Sequence, residues 1–303
     1  MSIRATSRKN AVSKPASDVI FDIVIYSIAI LLVILTLYPM YFVVIASFSD
    51  PTYVATGETL LLPKGITLRG YQKLFEYDQL WTGYKNTILY VLAGTAFSLF
   101  VNIPAAYALS RKELYGRRLF TAFFLIPMFF TGGLVPTYLV VSKLGLINSF
   151  WVMVVPFSVV TYYIIVGRTF FVTSIPNELW EAAQLDGCGT LRFFLSIVLP
   201  LSKAIVSVIG LWAAVGLWNS YFNAMIYLQE EELQPLQLVL RNILINNQAM
   251  STVETGQEAA EMKKIADLIK YGVIAISSLP IMMLYPFVQK YFNQGVMLGS
   301  VKG

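Results

Sequence analysis

Histidine is absent from the whole 303-residue chain, and cysteine occurs once, at Cys188. The missing imidazole excludes histidine-ligated metal sites, histidine proton relays and Ser–His or Cys–His nucleophile pairs. A lone cysteine excludes an internal disulfide, and Cys188 reads as a small buried filler. Charge is scarce too. Asp, Glu, Lys and Arg make up 13% of the chain, against about a quarter in a soluble domain. No G-x-x-x-x-G-K-[ST] phosphate loop is present, so this chain does not itself cradle ATP. The net charge of +5 is spread along the sequence. Nucleic-acid binding needs a concentrated basic face, so nucleic acid is not an expected partner.

What is abundant is apolar surface, at 57% of residues. A spanning helix needs about 20 mostly apolar residues. Six runs qualify: Ile20–Phe48, Thr87–Leu109, Leu119–Val141, Phe150–Val166, Ala204–Leu228 and Tyr271–Gln289. The expectation is an all-α membrane protein with six transmembrane helices. The first run is too long and starts too far in for a cleaved signal peptide, and no small-x-small site follows it. The short Ser110–Arg118 turn carries Arg111, Lys112, Arg117 and Arg118. Positive-inside bias puts it in the cytoplasm, with both termini, of a multi-pass cell-membrane protein surrounded by lipid. The chain then divides into a basic cytoplasmic tail (1–17), a first span with an outer segment (18–84) and a five-span core (85–303). A second outer segment covers 229–270. Within it Leu236, Val239, Leu240 and Ile243 recur at helical spacing. That helix either packs on the protein's own outer surface or docks an extracellular partner, and the pattern alone does not choose.

The spans also lack something. Their interiors are nearly free of Asp, Glu, Lys and Arg. A charge at mid-membrane costs about 2.5–3.5 kcal/mol on insertion scales and is kept for a function. Ion-coupled carriers keep such carboxylates, and an enzyme acting on lipid-linked sugar would need buried carboxylates or metal ligands. Instead the spans contain prolines, small residues and one aromatic–amide cluster: Trp218, Asn219, Tyr221, Phe222 and Asn223. Ring faces beside amides suit a sugar-like ligand, which makes this cluster the candidate substrate path. Interface anchoring is its ordinary reading.

One segment between the fourth and fifth runs is neither apolar nor a simple turn: WEAAQLDGCGTLRFFLSIVLP, Trp180–Pro200. Ser174, Pro176 and Asn177 supply helix-start signals, and Glu178 and Glu181 sit early, where the helix dipole favours acids. Gly187 and Gly189 stop the helix, and Thr190 can cap a second one. A helix over about 176–187 is ~15 Å long, too short to span. At 100° per residue Leu179, Ala182, Ala183 and Asp186 share one face. The two alanines would let another backbone approach closely.

Glu181-Ala182-Ala183, Asp186-Gly187 and then Ile197, Leu199 and Pro200 resemble the EAA motif of the permease subunits of binding-protein-dependent ABC importers. The runs Tyr84–Thr87, Ile103–Arg111 and Trp218-Asn219-x-Tyr221-Phe222 are similar to the carbohydrate-uptake branch. Thr131–Tyr138 is similar to a subgroup for oligo- and polysaccharide-derived substrates. The resemblance covers Ser17–Gly303. One departure is Ala204, where many relatives have proline, and it puts the local bend in question. The resemblance implies a non-enzymatic subunit forming half of the path for a sugar, an oligosaccharide above all. The EAA element is shared across importers, so a non-sugar solute stays open. It also implies a second related permease, two cytoplasmic ATPases holding ATP and magnesium, and an extracellular solute-binding protein. The 176–187 helix becomes a cytoplasmic coupling helix pushed by ATPase closure, rocking the spans between outward- and inward-facing states. Glu181 would anchor the contact, Ala182 and Ala183 would pack closely, and Asp186 and Gly187 would turn the chain towards Leu199 and Pro200.

Overall fold

The computed structural model describes residues 16–253 and 263–283. The basic tail, residues 254–262 of the second outer segment, and the end of the last apolar run with Lys290 lie outside the described residues. Among the described residues the structure is helical, with no strand. Two compact units divide the chain between Leu68 and Arg69. The second unit therefore begins sixteen residues before the core boundary expected at position 85.

In the first unit, helix α1 (Ala16–Ser47) is apolar throughout and its most apolar stretch has no buried residue. A short α2 (Pro51–Ala55) follows, its first turn capped by the Asp50 carboxylate, which accepts from the Thr52 N–H at 2.8 Å. The hydroxyls of Tyr38 and Tyr41 donate to the Leu60 and Leu61 carbonyls, tying the segment after α2 back onto α1.

The second unit is organised around one helix. It opens with α3 (Arg69–Phe75). Helix α4 (Asp78–Ser110) then runs 33 residues, about 50 Å. After it come α5 (Arg117–Phe129), α6 (Leu134–Lys143), α7 (Phe150–Val154), α8 (Thr161–Ser174), α9 (Asn177–Leu185) and α10 (Thr190–Phe193). A π turn, Phe194–Val198, leads into α11 (Leu199–Leu201), then α12 (Lys203–Trp218), α13 (Tyr221–Tyr227), α14 (Leu236–Val253) and α15 (Lys263–Met283). α4 packs on α3, α5, α7, α8, α12 and α14. Its Leu80, Tyr90 and Ile103 enter three successive apolar clusters. Close approach is built in where it crosses α8: a Cβ on Gly167 would stand 2.9 Å from the Ala106 methyl.

Three described helices are long and apolar enough to cross a membrane: α1, α4 and α15. Two more crossings count only if α5 with α6, bent by 119°, and Thr190–Leu201 with α12, bent by 81°, are each one span. Against the six transmembrane helices expected from the apolar runs, the described residues thus give three such helices and up to five crossings when each bent pair is counted as one span. The causes are local. Gly133 has φ 84°, a left-handed value that opens the α5–α6 bend at Thr131-Gly132-Gly133. Phe150–Val166 breaks after Val154 in a turn holding Pro156, and α8 starts only at Thr161. Pro200 has no N–H for the helical ladder. The widened π turn precedes it, with the Leu199 N–H on the Phe194 carbonyl. The chain then bends at Ser202, whose buried hydroxyl donates to the Val198 carbonyl at 2.7 Å. The bend thus forms with Ala204 in place of proline.

The amphipathic reading of 236–243 holds, and its choice is settled. Leu236, Val239, Leu240 and Ile243 are buried against α4 and α15 in one cluster with Leu80, Ile269 and Val273. That face covers the protein's own surface.

Candidate functional site

The α8–α9–α10 corner carries the motif residues. Pro176 is the extended residue before α9, and Glu178 lies in the first turn. The end is a Schellman closure. The Gly187 N–H donates to the Gln184 carbonyl at 3.0 Å and the Cys188 N–H to the Ala183 carbonyl at 2.8 Å, with Gly187 at φ 73°. Gly187 is thus the stop. Gly189 is extended and precedes α10, and Thr190 is the first helical residue rather than its cap.

The expected two-alanine face is split. Ala183 is 6% exposed and packs in the chain's own core with Phe171, Phe193 and Ile205. Ala182 is exposed, with Glu178, Glu181, Gln184, Asp186 and Gly187. Leu179 and Leu185 are exposed as well, Leu185 at 90%. The uncovered surface is therefore acidic and apolar together, and Ala183 anchors the helix from behind. Cys188 is half-buried against the same core, in keeping with a filler. Leu199 is half-buried and Pro200 exposed at the helix bend.

The aromatic–amide cluster also divides. Trp218 is buried, its indole N–H donates to the Ser277 carbonyl at 3.0 Å, and its ring packs on Tyr84. Its side chain is engaged in packing between α12, α4 and α15. The Asn219 amide donates back to the Val215 carbonyl at 2.9 Å. Tyr221 and Phe222 are exposed and meet edge to face at 6.4 Å, and Asn223 is half-buried. Only these last three keep side-chain surface turned outward beside Asn219.

Sequence reasoning missed a buried polar group. Asn102 is fully buried in α4. Its amide donates to the Ser98 and Ser158 carbonyls, both at 2.7 Å, and its oxygen accepts from the Val160 N–H at 3.0 Å. The Ser98 hydroxyl also donates to the Ser158 carbonyl at 3.0 Å. Backbone polar groups exposed by a broken helix cost several kcal/mol in an apolar setting unless satisfied. Asn102 and Ser98 satisfy those of the α7–α8 break. The available signal was one asparagine in an otherwise apolar run. The Tyr84–Thr87 motif has a related role. Thr87 Oγ1 accepts from the Leu236 N–H at 2.8 Å, Asn86 donates to the Glu232 carbonyl at 2.7 Å, and Tyr84 donates to the Ile276 carbonyl at 3.1 Å. These residues hold α14 and α15 on α4.

Comparison with known proteins places this architecture. The chain is 35% identical over 288 residues to the polygalacturonan/rhamnogalacturonan transport system permease protein YtcP of Bacillus subtilis, covering 94% of this chain and 99% of that one. It is 36% identical to protein LplC of the same organism over 270 residues, 89% of this chain and 90% of that protein. A solved bacterial ABC transporter involved in the import of the acidic polysaccharide alginate contains a chain that superposes with a TM-score of 0.82. The two are 32% identical, with 92% of this chain and 99% of that chain covered. Residues 80–298 match the binding-protein-dependent transport system inner membrane component family, and the chain belongs to that family.

Proposed function

We propose that this chain is one of two permease subunits lining the path of an ATP-driven importer, and that its cargo is an acidic oligosaccharide. Its relatives include a polygalacturonan/rhamnogalacturonan permease and a chain from an alginate importer, and both polymers are built on uronic acids. α9 is the coupling helix. The observation that carries this is its exposure pattern: a nine-residue helix clamped to the core by Ala183, with Glu178, Glu181, Ala182, Leu185 and Asp186 uncovered. A helix of that length cannot span, and an apolar residue as open as Leu185 at a polar corner marks a protein contact. One of two ATPase subunits, which hold ATP and its magnesium, docks there. A second permease completes the path, and an extracellular binding protein delivers the sugar. The chain crosses the membrane six times: through α1, α4, the bent α5–α6 pair, α7 with α8 across their break, α10–α12 around Pro200, and α15. Both termini are cytoplasmic, and Asn219, Tyr221, Phe222 and Asn223 are the candidate lining that keeps open surface.

The test is uptake by cells expressing the whole importer. Glu181→Lys reverses a charge on the docking face, and Gly187→Asp forces a side chain into the left-handed region, at about 1–2 kcal/mol. Nothing lies within 4 Å of a Cβ at Gly187, so that variant disturbs the turn without a clash. Both are expected to insert normally and to abolish uptake of a labelled oligogalacturonate. Normal uptake in both would remove α9 from the mechanism, and preference for a neutral malto-oligosaccharide of equal length would refute the acidic cargo.

A further inference from the structure

A guanidinium sits where the end of α4 meets α9. Arg111 is the first residue past α4, in extended backbone. Its side chain is only 13% exposed, with Nη2 3.3 Å from a Glu113 carboxylate oxygen. Its Cζ lies 5.2 Å from the centroid of the Trp180 ring in α9 and 5.9 Å from that of Tyr107 in α4. Trp180 in turn meets Phe193 of α10 edge-on at 5.0 Å, and Tyr107 meets Phe194 at 4.9 Å. One side chain therefore joins the rings of α4 and α9, and those rings lean on the residues that follow.

Ala183 and Trp180 hold α9 on the core, but the start of α9 is not packed onto the end of α4. A cleft of about 320 Å³ is lined by Tyr107, Ser110 and Arg111 at the end of α4, by Phe171, Val172 and Ile175 at the end of α8, and by Pro176, Asn177 and Glu178 at the start of α9. The buried Tyr107 hydroxyl has no hydrogen-bond partner among the described residues, so it does not close the gap. A helix pushed at such a corner can tilt into the cleft without displacing its neighbour. A shared cation removes that freedom, because tilting α9 would pull Trp180 off the guanidinium.

We infer that Arg111 is a positioning residue of energy coupling: held within cation–π range of both Tyr107 and Trp180, it makes α9 and α4 move as one body. Displacement of α9 then reaches the helix that packs on α3, α5, α7, α8, α12 and α14. This rests on the reading of α9 as the coupling helix. Arginine suits the task because its planar, weakly hydrated cation stacks on ring faces, whereas a lysine ammonium is a strongly hydrated point charge.

The experiment uses the assembled importer in proteoliposomes, measuring ATP hydrolysis stimulated by its binding protein loaded with oligogalacturonate. Arg111→Ala is expected to lower the stimulated kcat about three- to tenfold. KM for the binding protein and the amount of co-purified ATPase should stay unchanged. Trp180→Ala should do the same, the double variant should fall no further than the single ones, and Arg111→Lys should restore less than half. A wild-type kcat in Arg111→Ala overturns the inference. So does loss of the ATPase from the complex, which would make Arg111 a docking residue, and so do losses that multiply in the double variant. A cysteine placed by Ala182→Cys, in a Cys188→Ser background, separates the two levels. If it fails to cross-link to the ATPase, the reading of α9 itself falls; if it cross-links while Arg111→Ala is silent, only this inference falls.

Discussion

Helices α9 and α14 start from the same kind of signal and end in opposite situations. Both are amphipathic segments between longer apolar runs. In α14 the apolar face is covered by the chain itself. Leu236, Val239, Leu240 and Ile243 are buried against α4 and α15, and the first turn is held by the Thr87 hydroxyl on the Leu236 N–H. In α9 Ala183 is buried in the core and Trp180 is half-buried against it, while Leu179, Ala182 and Leu185 stay outside. An amphipathic pattern says that a face will be covered; it does not say by what. α14 finds its cover within the chain, and α9 keeps open surface, which is the contact proposed for the ATPase.

Truncation should separate the two helices. Leu240 is 2% exposed. Leu240→Ala removes a buried side chain and leaves a cavity, at about 2–5 kcal/mol, so thermal unfolding of the purified chain in detergent should shift down by several degrees. A shift no larger than that of a surface variant would mean α14 is not held by its apolar face. Asn102→Ala comes next. It leaves the Val160 N–H at the α7–α8 break without its acceptor and the Ser158 carbonyl with the Ser98 hydroxyl alone, a loss of about 1–3 kcal/mol. The same unfolding measurement, together with faster proteolysis at residues 155–160, checks it. Leu185→Ala is the smallest in stability, within about 0.5 kcal/mol. Yet it should reduce the ATPase that co-purifies with the complex, which Leu240→Ala at matched expression should not do. Equal ATPase retention in the Leu185 variant and the unmutated chain would erase the distinction between the helices.

How far each feature could be read in advance follows from the range of its cause. The ends of α9 were readable because helix termini are set by neighbours a few residues away: Pro176 and Glu178 at one end, Gly187 at the other. The period that brings Leu236, Val239, Leu240 and Ile243 onto one face is equally local. The breaks were not readable from hydropathy, since a window average over Phe150–Val166 or Leu119–Val141 is blind to the direction of the backbone. Pro156, Gly133 and Pro200 were visible as residues, but a proline in a membrane run is compatible with a kink, a break or no bend. α4 continues through Pro104 without ending, while the chain turns by 81° after Pro200. The burial of Trp218 was hidden for a different reason. An aromatic beside amides reads as a wet lining until its partner is known, and the partner, Ser277, lies 59 residues away.

Composition alone determined that this is a membrane protein without imidazole chemistry and without an internal disulfide, because those properties depend only on which residues are present; the lack of a phosphate loop is read from their order. Local spacing added the short helix α9 and the amphipathic α14. Which faces are closed, which runs are broken and where Arg111 reaches Trp180 were decided by the tertiary structure. Each depends on contacts between residues distant along the chain, such as Asn102 with Ser158 and Thr87 with Leu236, and no local pattern encodes a partner that far away.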